Sequence, residues 1–374
     1  MIIELKKPSE KTWNDALYEA ETKGTIFQST YWAEFLRKTF SDRPIYVASL
    51  DNKGNIQGLL LAIESCYAKH PSLTLLGKRG LLFGKLYKHA TSPVLHEMLP
   101  FIFWENGPVI LSQASKKDAS YKEVLYQRIL EKIVEIAEKR NCYEIKFARP
   151  ALFNDNSNIF SSIGFQKKKM GTLLVNLEQP SEVLWNRMDK SARKNIERTE
   201  QDLQIVKASK LGELGVFYDL NVQACKRSRQ KIYPFSFFAS LWNYLSPLDK
   251  AIVFIASMKD KPVGASLCLM HNEIIHHFAL GDSDYARSNK IYANEALLWH
   301  IINWAKERNF KYFDQSGVEI YKIEAGDQKA KNIYRYKSKF GGQLLEYHDY
   351  QKILKKNRLV KFLNRYIADS IIHN

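Results

Sequence analysis

The chain has 374 residues, 45% hydrophobic and 13% aromatic, which excludes a disordered polypeptide and provides for a sizeable core shared between about two domains. A formal charge of +16 and a pI near 9.4 favour an anionic partner (RNA, DNA, an acidic membrane face or a phosphate-bearing small substrate) over a basic one. The four cysteines lack the paired spacing of a zinc site and suit a reducing compartment. Neither a signal-peptide pattern nor a window of roughly 18 apolar residues is present, so a soluble, cytoplasmic protein is expected.

The first local signal is Phe27-Gln28-Ser29-Thr30-Tyr31-Trp32-Ala33-Glu34-Phe35, where Ser29 or Thr30 caps a helix whose apolar face carries Trp32 and Phe35. Residues 45–50, the turn 51–55 and residues 58–63 read as a hairpin. After the turn Asn106-Gly107-Pro108, an amphipathic helix ends at Ala137-Glu138-Lys139-Arg140-Asn141 and leads into a strand at 144–147. A corner, Ile163-Gly164-Phe165, then precedes a strand at 172–177. Pro180 ends that strand, and Ser181 is expected to cap a charged helix reaching about Gln201.

The same series then returns. Residues 251–256, the turn 259–262 and residues 264–270 form a second hairpin. A helix ends at Ala305-Lys306-Glu307-Arg308-Asn309, a strand begins at Tyr312, and Phe340-Gly341-Gly342 closes the copy. Ala137 and Ala305, like Arg140 and Arg308, stand 168 positions apart. Residues 351–374 read as a basic amphipathic helix, its apolar stripe packed on the second copy or laid on an anionic membrane surface.

This order resembles two GNAT acyltransferase lobes in tandem: an α+β chain divided into 1–179 and 180–374, each lobe a mixed sheet flanked by helices. Several motifs resemble the FemABX family, within a broader BioF2-like acetyltransferase group. FemABX enzymes move an amino acid from aminoacyl-tRNA to the peptide of a cell-wall precursor. Asn332-Ile333-Tyr334-Arg335-Tyr336-Lys337-Ser338-Lys339-Phe340-Gly341 is similar to the family's aromatic-Lys…Phe-Gly segment, whose lysine stabilises the tetrahedral transition state. The resemblance therefore implies Lys337 as the oxyanion stabiliser, Tyr336 as a wall of the site and Lys339 as a further substrate contact. Amine attack on an ester builds charge on the carbonyl oxygen, and a fixed cation in a dry groove offsets it.

The stretch 227–238 resembles the family's precursor-binding segment and implies Arg227, Arg229, Tyr233 and Phe237 as contacts for an anionic ligand with rings. Ser191-Ala192-Arg193-Lys194-Asn195-Ile196 resembles its Arg-x-x-Ile segment, which implies Arg193 and Lys194 on phosphate or RNA, or else on a solvated helix face. The Gln-Ser-x-x-Trp opening has Leu36 four residues after Trp32, which leaves a phosphate role to Arg37 or Lys38. Asn106-Gly107-Pro108 resembles an Arg-Gly-Pro turn lining the substrate groove, so Gly107 is expected there, with Trp104 beside it packing on a substrate or on the core. Asp314 is expected to orient or deprotonate the attacking amine, or to cap a turn, with Gln315, Ser316 and Gly317 lining the same groove.

No nucleophile triad and no metal site are read from the sequence; His276 and His277 alternate to opposite faces of a strand. The crossover 283–294 and its counterpart 112–117 contain no glycine of the kind that cradles a pyrophosphate, although Arg287 can grip phosphate by its side chain. The expected function is thus aminoacyl transfer from aminoacyl-tRNA to a phosphate-bearing peptide precursor, in a groove between lobes, by a monomer needing no cofactor. The alternatives are a CoA-dependent N-acyltransferase using acetyl-CoA and a non-catalytic RNA-binding protein on the same fold.

Overall fold

The structure, a computed structural model, describes residues 1–6, 8–20, 25–66, 100–115, 119–148 and 159–354. It begins with β1 (Ile2–Leu5), α1 (Glu10–Tyr18), α2 (Thr30–Phe40), β2 (Arg43–Leu50), β3 (Ile56–Cys66), β4 (Pro100–Glu105), β5 (Val109–Ile110), α3 (Ser112–Ser115), α4 (Ala119–Lys139), β6 (Glu144–Ala148) and α5 (Ile159–Ser162). Next come β7 (Gln166–Asn176), α6 (Ser181–Arg187), α7 (Lys190–Thr199), β8 (Leu203–Lys207), α8 (Leu211–Arg227), α9 (Phe235–Leu245), β9 (Ala251–Met258), β10 (Lys261–His271) and β11 (Ile274–Asp282). The last are α10 (Asp284–Ser288), α11 (Ala293–Glu307), β12 (Tyr312–Val318), α12 (Ile320–Glu324), α13 (Gln328–Ser338) and β13 (Gln343–Ile353).

The chain divides into two compact units: Met1–Lys168 with the chain from His348 onward, and Lys169–Tyr347. In the first unit the strands run β1-β2-β3-β4-β6-β13, in the second β8-β9-β10-β11-β12-β7. Each has one parallel pair, β4 with β6 and β11 with β12, and the remaining neighbours are antiparallel. Both hairpins expected from the sequence form, β2 with β3 and β9 with β10. α4 and α11 are the crossovers that parallel pairing requires.

The helix ends repeat atom for atom. Cys142 N donates to Ala137 O at 2.8 Å and Phe310 N to Ala305 O at 3.1 Å, and Asn141 and Asn309 both sit in the left-handed region (φ 56° and 61°) that ends such helices. Ala137 and Ala305 are wholly buried because the helix presses on the sheet there.

The division expected at 179 differs from the observed one, and the final strands explain it. β7, which follows the first copy's Gly-Phe corner, pairs with β12 from Gly171 to Asn176, whereas β13, after the second corner, pairs with β6 from Asp349 to Ile353. Each copy therefore gives its last strand to the other copy's sheet. Gln351, expected to start a helix, belongs to β13, and the remainder of that expected helix from 355 onward lies outside the described residues.

Two local expectations are refined. Ser29 caps α2, accepting from Trp32 N at 3.2 Å, with Trp32 and Phe35 both buried. The helix expected from Ser181 to Gln201 breaks at Met188, which is extended and buried, and Asp189 caps α7 by accepting from Ser191 N at 2.7 Å. Pro180, not Ser181, occupies the first cap position.

Glycine sets how closely α8 approaches β11. A Cβ on Gly281 would lie 2.6 Å from Asn221 N and 2.7 Å from Leu220 C, so Gly281→Ala is expected to cost about 1–3 kcal/mol, read as a lower urea midpoint. Asn221 Nδ2 completes the contact by donating to Leu280 O at 2.7 Å.

Candidate active site

β11 and β12 pair only from Ile274–His276 to Tyr312–Asp314, although both strands continue further. Where they part, the second unit contains a cavity of about 1350 Å³, bounded by His277 to Leu280, Gln315 to Gly317, the end of α8, the start of α11 and one side of α13. Asp327 starts α13 by accepting from Ala330 N at 2.7 Å, and its face at three- and four-residue spacing, with Lys329, Ile333, Tyr336 and Lys337, lines the cavity.

Lys337 Nζ donates to Ser316 O and Gly317 O, both at 3.0 Å. An ammonium has three N–H bonds, so one remains for a ligand. Burial pulls the ammonium down to about 8, against the Asp314 charge, which favours the proton. Beside it, burial and then the Lys337 cation pull His277 down to about 3, so its imidazole is neutral at physiological pH, and its Nε2 is buried without a hydrogen bond. Tyr336 Oη and Gln315 Nε2 are likewise buried without partners, and burial pushes the Tyr336 phenol up.

A second lysine stands out. α8 ends at Arg227, Arg229 turns the chain with φ 50°, and Lys231 then carries its ammonium into the cavity, 5.2 Å from the centroid of the Tyr233 ring. Its Nζ is buried with no hydrogen-bond partner, and burial pulls it down to about 8. Lys231 lies within the basic and aromatic run quoted above but was not singled out there, because sequence does not reveal which cation in a run lacks a counter-charge.

The other expected residues are distributed as follows. Arg227, Arg229, Tyr233, Arg287 and Lys339 line the cavity, as do Gln315, Ser316 and Gly317. Arg227 and Arg287 are both paired with Asp282, Arg287 through Nε at 2.5 Å, and Arg227 also with Asp284. Lys339 holds Glu295 at 2.8 Å, whose other oxygen accepts from Asn195 at 2.7 Å. Phe237 is buried behind Tyr233, 5.0 Å between ring centroids, and Arg193 lies on α7 outside the cavity lining with Asn186 Oδ1 at 3.5 Å. Asp314 is outside the lining too; its oxygens accept from Thr172 Oγ1, from Ser316 N at 2.8 Å and from His276 Nδ1 at 3.0 Å.

In the first unit, Trp104 is 2% exposed and stacks on Phe147 at 4.4 Å, so it is a core side chain and not the substrate contact expected. Gly107 packs on the buried Gln28 amide, where a Cβ would approach to 2.8 Å. Arg37 and Lys38 are paired with Glu34 at 2.8 and 3.2 Å, and the hydrogen bonds from Arg37 above all hold that carboxyl down at about 2. Among the described residues no cluster suits a metal ion, and no helix is long and apolar enough to cross a membrane.

Residues 186–338 match the acetyltransferase (GNAT) domain family, a span that takes in the cavity apart from Lys339. No curated protein matches the chain in sequence. Among solved structures it resembles FemX (TM-score 0.70, 14% identity, 94% of this chain and 97% of that one). It also resembles L-PGS from Bacillus licheniformis (0.53, 10%, 97% and 98%) and a tandem GNAT protein from the clavulanic acid biosynthesis pathway (0.53, 8%, 96% and 99%). Residues 186–338 thus carry the acetyltransferase (GNAT) family match, and the chain as a whole has a two-lobed fold like that of FemX.

Proposed function

We propose that the second unit transfers an aminoacyl group from aminoacyl-tRNA to the amine of a peptide-bearing, anionic acceptor. The observation that carries this reading is the Lys337 ammonium, fixed by two main-chain carbonyls with one N–H left over on the wall of the cavity. The acceptor nitrogen attacks the ester carbonyl, Lys337 donates to the oxygen as charge develops, and collapse expels the ribose hydroxyl, which takes up the proton lost by the amine. Tyr336 shapes the wall, while Lys231 and Arg229 hold the anionic part of a substrate.

The acetyl-CoA alternative has less support. The first turn of α11, where a GNAT pyrophosphate would meet main-chain N–H groups, puts the Glu295 carboxylate and the unpartnered Asn294 Oδ1 on the cavity wall. Both are acceptors, which a diphosphate repels, and Arg287 is already paired with Asp282.

The protonated form of Lys337 is the stabilising one, so activity is lost as pH rises through about 8. Single-turnover transfer from charged tRNA, corrected for titration of the acceptor amine, is expected to show this descending limb. Incubation with a panel of charged tRNAs and amine acceptors tests the reading itself, and transfer no greater than in Lys337→Ala would refute it.

A further inference from the structure

β12 is irregular beside Lys337. Its pairing with β7 shifts between Asp314 and Gly317, and Ser316 adopts φ 65°, a left-handed conformation unfavourable for a residue with a side chain. Such a residue persists only where its surroundings hold it. Here Asp314 accepts from Ser316 N at 2.8 Å, closing an Asx turn, and Ser316 Oγ donates to His277 O at 2.6 Å on the neighbouring strand. Asp314 is in turn fixed by Thr172 Oγ1 and by His276 Nδ1. The irregular turn presents Ser316 O and Gly317 O side by side, and these are the acceptors of Lys337 Nζ.

We propose that Asp314 is the positioning residue of this site: it pins the left-handed Ser316 so that two adjacent carbonyls hold the Lys337 ammonium. Its charge also opposes the burial that favours the neutral amine of Lys337. This rests on Lys337 being the group that stabilises the oxyanion. A part as the base for the amine is disfavoured, because Asp314 is outside the cavity lining and both its oxygens are engaged. Burial works to raise its carboxyl, but His276, Thr172 and the Ser316 N–H outweigh it and hold it below the usual carboxylate value, so it remains an anion. The titratable groups of the elements packed around Lys337 include Asp314 on β12, His276 (paired with Asp314) and His277 on β11, Lys329 and Tyr336 on α13, the paired Glu319 and Lys322 flanking and on α12, and Lys339 beyond α13, paired with Glu295.

The test is the titration of Lys337, read from the pH dependence of its acetylation by acetic anhydride with mass spectrometry of its peptide, in the full chain. In Asp314→Asn the midpoint is expected to fall by about one pH unit, as when a neighbouring opposite charge is lost. The descending limb of kcat should move with it, and kcat should drop about tenfold with KM within about twofold. A folded Asp314→Asn with an unchanged midpoint overturns the proposal. Should that variant fail to fold, Asp314→Glu keeps the charge but displaces the oxygens; kcat is then expected to fall while the midpoint holds, and wild-type kcat overturns the proposal. If Lys337→Met leaves transfer intact, the catalytic reading fails, while the labelling midpoint still decides what Asp314 does to Lys337.

Discussion

Replacement of Lys337 by alanine is expected to lower kcat by about 10²–10³-fold with KM nearly unchanged, the loss seen when one preorganised donor to an oxyanion is removed. The interaction strengthens only as the carbonyl oxygen gains charge, so ground-state binding loses little. Lys337→Arg should rescue poorly, because Ser316 O and Gly317 O each lie 3.0 Å from a compact ammonium and a planar guanidinium cannot meet both and still reach the same point. Rapid-quench measurement of single-turnover transfer distinguishes chemistry from product release. A kcat within threefold of wild type for Lys337→Ala would remove this lysine from the mechanism.

Lys231→Met is expected to have opposite effects on binding and on stability. KM for the anionic substrate should rise by roughly 30-fold or more, since loss of one partner of a desolvated ion pair costs about 2–5 kcal/mol, while kcat at saturation is retained. In the absence of substrate, the variant should melt a few degrees higher, because an ammonium buried without a hydrogen bond is replaced by an apolar side chain of similar length. The pH dependence supplies an independent sign. Burial lowers the Lys231 pKa to about 8 in the fold, so between there and the ordinary lysine value the unfolded chain binds the proton more tightly, and wild-type stability should rise with pH across that window. Lys231→Met should lose this rise, and Lys231→Arg should retain binding. Calorimetric scans at several pH values, with and without inorganic phosphate, read the stability and binding outcomes, and transfer kinetics read KM and kcat.

The internal repeat was readable because its signals are local. The hairpins, the helix ends at Asn141 and Asn309 and the glycine corners each depend on a few neighbouring residues, and the 168-residue spacing compares one local pattern with another. The corner at Gly341 shows how far this reaches. The glycine marks a turn in the sequence, and the structure gives it φ 71°, but the reason nothing larger fits is Arg187, whose Cβ would lie 2.8 Å from an added Cβ. The exchange of β7 and β13 was not readable, since alternation tells which face a strand buries and not which of two similar sheets it joins.

The site divides in the same way. Lys337, Tyr336 and the groove residues Gln315 to Gly317 were singled out from motif and strand position, and they meet at one cavity. Trp104 stayed open between a substrate wall and the core, because an aromatic side chain beside a turn suits either, and its stacking on Phe147, distant in sequence, places it in the core. Arg227, from the resemblance of its segment, and Arg287, from its place in the crossover, were expected to hold an anionic ligand, yet Asp282 pairs with both.

The sequence by itself determined a repeated α+β chain of net positive charge with an aromatic-lysine segment near its end, because composition, periodicity and short motifs are properties of neighbouring residues. Only the tertiary structure decided which cations stay unpaired, which strand closes which sheet and what holds Lys337. Desolvation and charge pairing depend on residues brought together by folding: Asp282 from the end of β11 neutralises the arginines, Lys231 is left without a partner, and Asp314 fixes the turn whose carbonyls grip a lysine more than twenty positions further along the chain.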